Sequence, residues 1–312
     1  MSETTYAEIH RRLAGLANPA QAAFAQRFFK TGKGEYGEGD RFLGIRVPVI
    51  RAVVRAYPAP PLATVVKLLR SQWHEERLLA VLMLVRLYDK GGPAEREAVY
   101  RLYLDSLTFI NNWDIVDSSA SQIVGRHLAG RGRFPLLRMA RSPHLWTRRV
   151  SVIATAHGIR HGHFDDILLL ASRLLDDKED LIHKAVGWML REVGKRDRSV
   201  LEDFLDTHAA RMPRTMLRYA IEKLPADRRQ RYMKDKTRGL EEQAALREQL
   251  NTSSVPPSSP VPQFPSSPGL WTLDSGLLAP LAGALEGFAK LRFEAAVGGL
   301  VVASVGEGVG EA

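Results

Sequence analysis

The chain has 312 residues, of which 45% are hydrophobic and 25% charged, which excludes a fibrous or mainly disordered protein. It contains no cysteine, which excludes disulfides, cysteine-ligated zinc, iron–sulfur clusters and cysteine nucleophiles. The net charge of +9 is uneven: residues 235–312 hold five basic and nine acidic residues, so residues 1–234 carry +13 and favour a polyanionic partner, nucleic acid first.

The N-terminus and the hydropathy pattern predict a cytoplasmic protein. Met1–Glu8 is polar and acidic, and it lacks the basic start and apolar core of a signal peptide. No stretch reaches ~18 uninterrupted apolar residues, so no membrane-spanning helix is expected. The most apolar segment, residues 276–309, is interrupted by a proline and by charged residues.

The first 234 residues show helical periodicity almost throughout. Apolar residues recur at helical spacing between Leu62 and Leu69, and the segment from Leu78 to Leu87 is apolar on nearly all sides, which indicates a buried helix. Strand signals are almost absent. The pattern predicts an all-α protein with helices of about 10–18 residues. Breaks are expected at Pro58–Pro61, Gly91–Pro93, Gly130–Gly132, Ser142–Pro143, Gly162 and Met212–Pro213.

A repeat underlies these helices. Similar segments centre on Leu79, Arg149 and Lys184, and their spacing leaves a missing copy near residue 114. A helix-pair repeat of this length is typical of HEAT or armadillo arrays. The sequence therefore predicts a curved α-solenoid of HEAT-like helix-pair repeats with a basic concave groove. The second helices of successive pairs would then lie side by side and bring their functional residues into one neighbourhood.

The glycine-rich segment Thr31–Asp40 is the first candidate functional feature along the chain. It does not fit the phosphate-loop pattern G-x-x-x-x-G-K-[ST], which argues against nucleotide triphosphate binding. A mobile loop that carries a basic residue to a DNA backbone is favoured. A plain glycine-rich turn stays open as the alternative.

Asn111–Ser119 is the most unusual segment, because polar residues cluster where an apolar helix is expected. Trp113 and Asp117 are four residues apart and share a helix face, while Asp114 is placed to cap the helix or to close a polar network. An aromatic face beside a carboxylate suits a cationic ligand. A helix cap followed by a core tryptophan and a buried salt bridge is the competing interpretation.

Three further groups of residues are weighed against structural alternatives. Arg148 and Arg149 could hold a phosphate or form surface ion pairs. His157, His161 and His163 have spacing compatible with zinc, but a helix end also favours histidine, and no metal site is predicted. Gly187 and Trp188 could present an aromatic ring to Trp113 or mark a tight helix crossing.

The C-terminal region differs from the body. Residues 251–269 contain six prolines and six serines, the composition of a disordered linker. Residues 270–312, rich in Gly, Ala, Val and Leu, are too few to form a hydrophobic core of their own. Two parts are predicted: a helical domain over 1–234, and a Pro/Ser-rich linker with a low-complexity, mostly disordered tail over 235–312.

Four segments, in this order, resemble the DNA alkylation repair family, the AlkD-like DNA glycosylases built of HEAT-like repeats. They are Arg41–Pro48, Asn112–Asp117, Trp146–Arg149 and Lys184–Glu192. The resemblance covers nearly all of residues 1–234 and does not extend into the tail.

The resemblance implies a base excision repair enzyme, a monofunctional glycosylase for N3- and N7-alkylated purines in duplex DNA that works without base flipping. It implies that Asp117 is the catalytic carboxylate, that Trp113 and Trp188 are its aromatic walls and that Arg149 grips the backbone. Phe28 aligns with a tyrosine found near the lesion in some members. Further DNA contacts are expected from Arg46, Arg148, Lys184 and Arg191.

A cationic purine leaves without a general acid, and no cofactor or metal is expected. The resemblance suggests a monomer. The alternative from another class is a non-catalytic HEAT-repeat protein that binds damaged or branched DNA, or a protein partner. Such a binder would work through phosphate contacts and would not need an aromatic-walled carboxylate in a basic groove, where the acid repels DNA.

Overall fold

The computed structural model of the chain describes residues 4–234 and Lys236. Within that part the backbone is helical or forms turns without a β-strand, and an isolated bridge joins Arg41 to Trp73. The all-α prediction is confirmed. Apart from Lys236, the predicted linker and tail lie outside the described residues. None of the described helices has both the length and the apolar character needed to span a membrane.

The helices are short and closely spaced. They are α1 (Tyr6–Ala14), α2 (Pro19–Phe28), α3 (Val47–Ala56), α4 (Leu62–Leu69), α5 (His74–Lys90), α6 (Pro93–Asp105), α7 (Trp113–Asp117), a π-helical turn (Ser121–Gly125), α8 (Arg126–Leu128), α9 (Phe134–Ala140), α10 (Leu145–Ala154), α11 (Ala156–Arg160), α12 (Asp165–Arg173), α13 (Asp180–Gly194), α14 (Arg198–His208) and α15 (Arg214–Ala220). Residues 226–234 are also helical. The predicted proline and glycine breaks fall between helices or at their first residues.

Helices α5, α7, α10, α13 and α15 form a central row in which each helix packs on the next. Helices α4, α9, α12 and α14 pack beside members of this row and complete helix pairs, which is the arrangement of an α-solenoid. The row helices begin at His74, Trp113, Leu145, Asp180 and Arg214. Helix α7 thus occupies the position of the missing repeat copy near residue 114.

Helix α5 is the core helix of the N-terminal half. Its residues from Leu78 to Leu84 are all buried, as its apolar pattern predicts, whereas Val85 and Leu87 are half-buried. The buried stretch also includes four polar residues of the first turn: His74, Glu75, Glu76 and Arg77. Burial of charge is costly unless each group is paired, so the first turn of α5 has to be supplied with partners from other segments.

Glu75 shows how the first turn of α5 organises the loop before α3. Its carboxylate accepts hydrogen bonds from the backbone N–H groups of Leu43, Gly44 and Ile45 at 2.7–3.2 Å. Gly44 has φ +78°, and a Cβ there would lie 2.2 Å from the Asn18 carbonyl oxygen. The glycine is therefore required by both conformation and space, which accounts for the motif around Gly44.

Helix α7 is shorter than the sequence pattern predicts. It ends after five residues, and a π-helical turn follows at Ser121–Gly125. The Ser119 hydroxyl donates to the Ile115 carbonyl at 2.7 Å, a side-chain bond that competes with regular helix geometry. A Cβ on Gly125 would lie 2.2 Å from the Ala154 carbonyl, so this turn packs tightly against the end of α10.

Candidate active site

The site is built around the first turn of α7. Asn112 is buried and caps the helix, because its side-chain oxygen accepts the Trp113 backbone N–H at 2.8 Å. Asp114 fills both roles considered for it: one carboxylate oxygen accepts the Ile115 backbone N–H at 2.9 Å in the first turn, and the other joins a polar network through His74.

Trp113 lies half-buried on an aromatic support. Its ring stacks on Phe29 with centroids 5.2 Å apart and planes at 17°, and Phe28 meets it edge-on at 6.0 Å. The Phe28 side chain is 54% exposed, so an accessible aromatic surface continues from Trp113 onto α2. Stacking on Phe29 therefore covers one face of the indole.

Asp117 forms a two-pronged ion pair with Arg149 of α10. The Arg149 Nε and Nη2 atoms donate to the two carboxylate oxygens at 2.9 and 2.7 Å. The third guanidinium nitrogen, Nη1, donates to the Leu181 carbonyl at 2.5 Å. The Asp117 side chain is 17% exposed and that of Arg149 only 6%. Arg149 is thus held inside the protein, whereas Asp117 keeps an edge open to solvent.

The electrostatic balance at Asp117 has two opposing parts. Burial raises the pKa of the carboxyl group above its usual range, Arg149 acts to lower it, and the nearby charge of Asp114 raises it further. Arg149 is therefore the group that opposes protonation of Asp117 in this buried setting.

A buried polar cluster lies under the aromatic support. It consists of Asp40, His74, Arg77, Asn112 and Asp114. The imidazole Nε2 of His74 contacts Asp114 at 2.8 Å, and its Nδ1 contacts Asp40 at 3.3 Å. Asp40 also accepts from Arg77 at 2.5 Å and from Asn112 at 2.9 Å. The cluster ties the end of the glycine-rich segment and α5 to the first turn of α7.

His74 is the charged centre of this cluster. Burial acts to lower the pKa of the imidazole, but the charges and hydrogen bonds of Asp114 and Asp40 outweigh it and raise the pKa to about 9. The imidazole also lies against Phe29 and Phe42, with centroids 4.9 and 4.6 Å away. A protonated His74 thus supports the ring that carries Trp113.

The free energy of unfolding should fall as pH rises from about 6.5 to about 9. The folded pKa of about 9 exceeds the unfolded value of 6.5, so the stabilisation is fully present below 6.5 and is lost as pH rises through 9. The loss should be on the order of 3 kcal/mol. Urea unfolding across this range measures it. His74→Gln should remove most of the dependence; equal slopes for the variant and the wild type would contradict the assignment.

The other cationic candidates differ in their availability. Arg46 is exposed at the start of α3. Lys184 pairs with Asp180 at 2.8 Å, and Arg191 pairs with Glu222. Arg148 is held by Asp177 through Nε and Nη2 at 2.7 and 3.2 Å, and it also donates to two backbone carbonyls. Its geometry is that of a structural ion pair.

Trp188 is half-buried on α13 and packs against the core. Among the described residues its ring makes no contact with that of Trp113. The adjacent Gly187 has a packing reason, because a Cβ there would lie 2.4 Å from the Met216 carbonyl of α15. The tight helix crossing considered for Gly187 is what the structure shows.

The histidine segment lines a separate pocket of about 520 Å³ between the α8–α9 connection and α11. His157, His161 and Asp165 are among its lining residues. No three acidic or histidine side chains in the described part of the chain are placed to hold a metal ion. The zinc interpretation of this segment therefore has no support in the geometry.

Sequence reasoning missed three residues of the site: Phe29, Tyr36 and His74. Phe29 carries Trp113, and His74 connects the polar cluster. Tyr36 brings the glycine-rich segment against Trp146 and the Phe28 carbonyl. The sequence did contain a signal for His74. Four polar residues, His74 to Arg77, directly precede the apolar run of α5, and a helix that buries this run also buries its first turn.

Comparisons with known proteins agree with this picture. Residues 9–224 match the family model described as DNA alkylation repair enzyme. Among solved structures, the chain is similar to one described as a predicted DNA alkylation repair enzyme from Enterococcus faecalis, at 18% identity and a TM-score of 0.53. The alignment covers 67% of this chain and 97% of that chain, and it shows likeness of fold. No curated protein matches the sequence.

Proposed function

The chain belongs to the family of DNA alkylation repair enzymes, and from this premise we propose that it is a DNA glycosylase. The substrate is duplex DNA that contains N3- or N7-alkylated purines, and the reaction is hydrolysis of their N-glycosidic bond. The lesion stays stacked and the enzyme acts on the deoxyribose. The enzyme is monofunctional and takes part in base excision repair.

The chemistry needs few groups from the protein. An alkylated purine is already cationic, so it accepts the electron pair of the glycosidic bond and leaves as a neutral base without a general acid. Positive charge then develops on the deoxyribose, as in other oxocarbenium-like transition states. A carboxylate and an aromatic face placed beside that sugar stabilise the charge where it appears.

The observation that carries the proposal is the partly open carboxylate of Asp117 on the same short helix as Trp113. Arg149 occupies both Asp117 oxygens but leaves an exposed edge, 17% of the side chain, toward solvent. In the proposed mechanism this edge faces the sugar and orients or deprotonates the attacking water. Trp113, supported by Phe29, forms one aromatic wall, and Trp188 forms the other.

In this mechanism Arg149 acts through Asp117. All three of its guanidinium nitrogens donate to Asp117 or Leu181 in the free protein. A role in gripping the phosphate backbone would require those contacts to rearrange when DNA binds. We therefore assign Arg149 to holding the carboxylate in place and ionised, and we assign backbone contact to more accessible groups.

DNA is held by phosphate contacts at the start of α3 and along α13 of the central row. Arg46 is exposed and available, and Lys184 and Arg191 lie on α13 close to Trp188. Phe28 adds an exposed aromatic surface beside Trp113. A body of charge +13 makes this binding strong at low salt and steeply salt-dependent.

The second candidate is a non-catalytic DNA-binding solenoid. It would need the basic surface but not a carboxylate placed against DNA, because an acid there weakens phosphate binding. The position of Asp117 beside a supported tryptophan favours the enzyme. Repeat architectures of this kind also serve as scaffolds for protein–protein binding. The charge of +13 on residues 1–234 argues against that role for this protein.

Base release from methylated duplex DNA tests the proposal. The substrate contains 7-methylguanine and 3-methyladenine, and EDTA is present throughout. We expect free methylated bases in solution and abasic sites in an otherwise intact strand. Failure to release either base, together with salt-sensitive duplex binding, would show that the protein is a non-catalytic DNA-binding solenoid.

A further inference from the structure

Helix α2 carries an aromatic face that the described part of the chain leaves largely uncovered. None of the residues of this helix is buried, and the side chains of Phe24 and Phe28 are 58% and 54% exposed. Their rings stack on each other, with centroids 6.1 Å apart and planes at 14°. Because Phe28 also meets Trp113 edge-on, this face is continuous with the candidate active site. Exposed aromatic side chains that are grouped in this way mark a binding surface.

The aromatic face of α2 is supported from behind. Phe29 stacks on Phe42 and on Trp113, with centroids 5.0 and 5.2 Å away. The Gly37 N–H donates to the Lys30 carbonyl at 3.1 Å, and a Cβ on Gly37 would lie 2.4 Å from the Phe29 carbonyl oxygen. The glycine-rich segment, expected as a mobile loop, is thus folded against the end of α2. A ligand that stacks on α2 therefore meets a preformed surface, which lowers the entropic cost of binding.

A pocket of about 340 Å³ lies beside these rings, between α2, the start of α3 and α5. Phe24 and Phe28 both line the pocket and remain exposed, so they lie at its mouth. Buried apolar side chains, among them Phe42, Ile45 and Leu78, line it farther in. The volume is at the small end of the range of ~300–1,000 Å³ that is usual for ligand pockets, which suits a single planar ring system.

The charges around the pocket favour DNA as its occupant. His74 and Glu75 line the interior, but the imidazole is paired with carboxylates and Glu75 accepts three backbone N–H groups. Arg46 lines the pocket from an exposed position and forms no ion pair with another described residue. Arg27 and Lys30, at the end of α2, are exposed as well. Cations outside thus attract phosphate, whereas the interior accepts an apolar, aromatic group.

We propose that this surface binds an unpaired nucleobase of the bound DNA, stacked on Phe24 and Phe28 at the mouth of the pocket. Proteins hold single-stranded DNA with aromatic side chains beside a cationic path for the backbone, and every base has a face that can stack. The side-chain amide of Gln21, which also lines the pocket, offers a donor and an acceptor to the edge of the base.

The inference rests on the DNA binding of the proposed function and does not require base release. The proposed reaction would itself produce a suitable ligand, because release of a purine leaves the opposite base without a partner. The ligand class is therefore an unpaired base in an otherwise double-stranded DNA.

Phe24→Ala in the full chain is the test, measured by binding titration with DNA that carries a one-nucleotide bulge. Phe24 is exposed, so the variant should keep its fold. Affinity for a bulged adenine should fall about 10-fold, the usual effect of losing an aromatic stacking partner. Affinity for a fully paired duplex, and for a bulge with an abasic sugar, should change by less than about twofold, because phosphate contacts remain and no base is stacked.

Two further variants serve as controls. Phe134→Ala removes another phenylalanine, 73% exposed at the start of α9, and should leave all three affinities unchanged. Phe24→Tyr keeps an aromatic ring and should retain the wild-type affinity for the bulged adenine. A second readout locates the base: a bulged 5-iodouracil should crosslink on irradiation to Phe24 or Phe28, as identified by mass spectrometry.

An equal effect of Phe24→Ala on the bulged adenine and on the abasic bulge would overturn the inference, as would crosslinks confined to other residues. A wild-type dimer that Phe24→Ala dissociates would also overturn it, because the face would then belong to a second copy of the chain. If the wild type released no base but the bulge effects held, the base-binding surface would stand and the proposed glycosylase would fail. Base release without the bulge effects would give the opposite result.

Discussion

Asp117→Asn should lower the single-turnover rate of base release by about 100- to 1000-fold. The amide keeps the shape of the side chain and one acceptor for Arg149, but the negative charge that faces the developing cation is gone. Affinity for undamaged duplex should be unchanged or slightly higher, because removing an acid from a basic surface reduces repulsion of phosphate. Rapid-quench base release and a binding titration measure the two quantities separately.

Glu76→Gln is the matched control for this substitution. Glu76 is also a buried carboxylate, and it contacts His10 at 2.6 Å and Tyr6 at 3.2 Å on the side of α1. The Glu76→Gln variant should be less stable than the wild type. Its folded fraction should release bases at the wild-type rate. If Asp117→Asn excised alkylpurines as fast as wild type, the mechanism assigned to Asp117 would be wrong.

Arg149→Ala should reduce the free energy of unfolding by about 3–5 kcal/mol, the usual consequence of removing one partner of a buried ion pair. Both Asp117 oxygens lose their donors, and the Leu181 carbonyl loses its contact with Nη1. Urea unfolding gives the value. The exposed Arg133–Asp166 pair, at 3.1 Å, is the comparison, because Arg133→Ala should change stability by less than about 1 kcal/mol.

The same variant should change the pH dependence of excision. Burial raises the pKa of Asp117, and without Arg149 nothing comparable opposes that rise. The carboxyl group then stays protonated to a higher pH than in the wild type, so the residual rate should increase with pH as Asp117 ionises. A residual rate that follows the wild-type pH profile would show that Arg149 does not control the ionisation of Asp117.

The course of the chain could be predicted from local patterns. The helix from Leu62 to Leu69 and the buried helix after Leu78 follow from apolar spacing, and their ends follow from proline and glycine. The repeat also placed a helix near residue 114, where α7 begins. The length of α7 could not be predicted, because a serine side-chain bond and the close approach of Gly125 to Ala154 interrupt it.

The candidate site could be predicted only in part. Trp113 and Asp117 lie four residues apart, so any helix puts them on one face, and the repeat placed Arg149 in their neighbourhood. Whether Arg149 points to solvent or to Asp117 depends on a contact between α7 and α10. Tyr36 looked like part of a plain glycine-rich stretch, because nothing local shows that the stretch is folded back against Phe28 and Trp146.

The sequence by itself determined the helical class, the repeat, the basic body and the segment that bears Trp113 and Asp117. These depend on periodicity and composition, which are local properties. Tertiary structure alone decided which charges are paired: His74 with Asp114, and Asp117 with Arg149. Burial makes each of these pairings obligatory, because an unpaired charge is costly in a low-dielectric interior. The partners are far apart in the chain, so only the packed fold selects them.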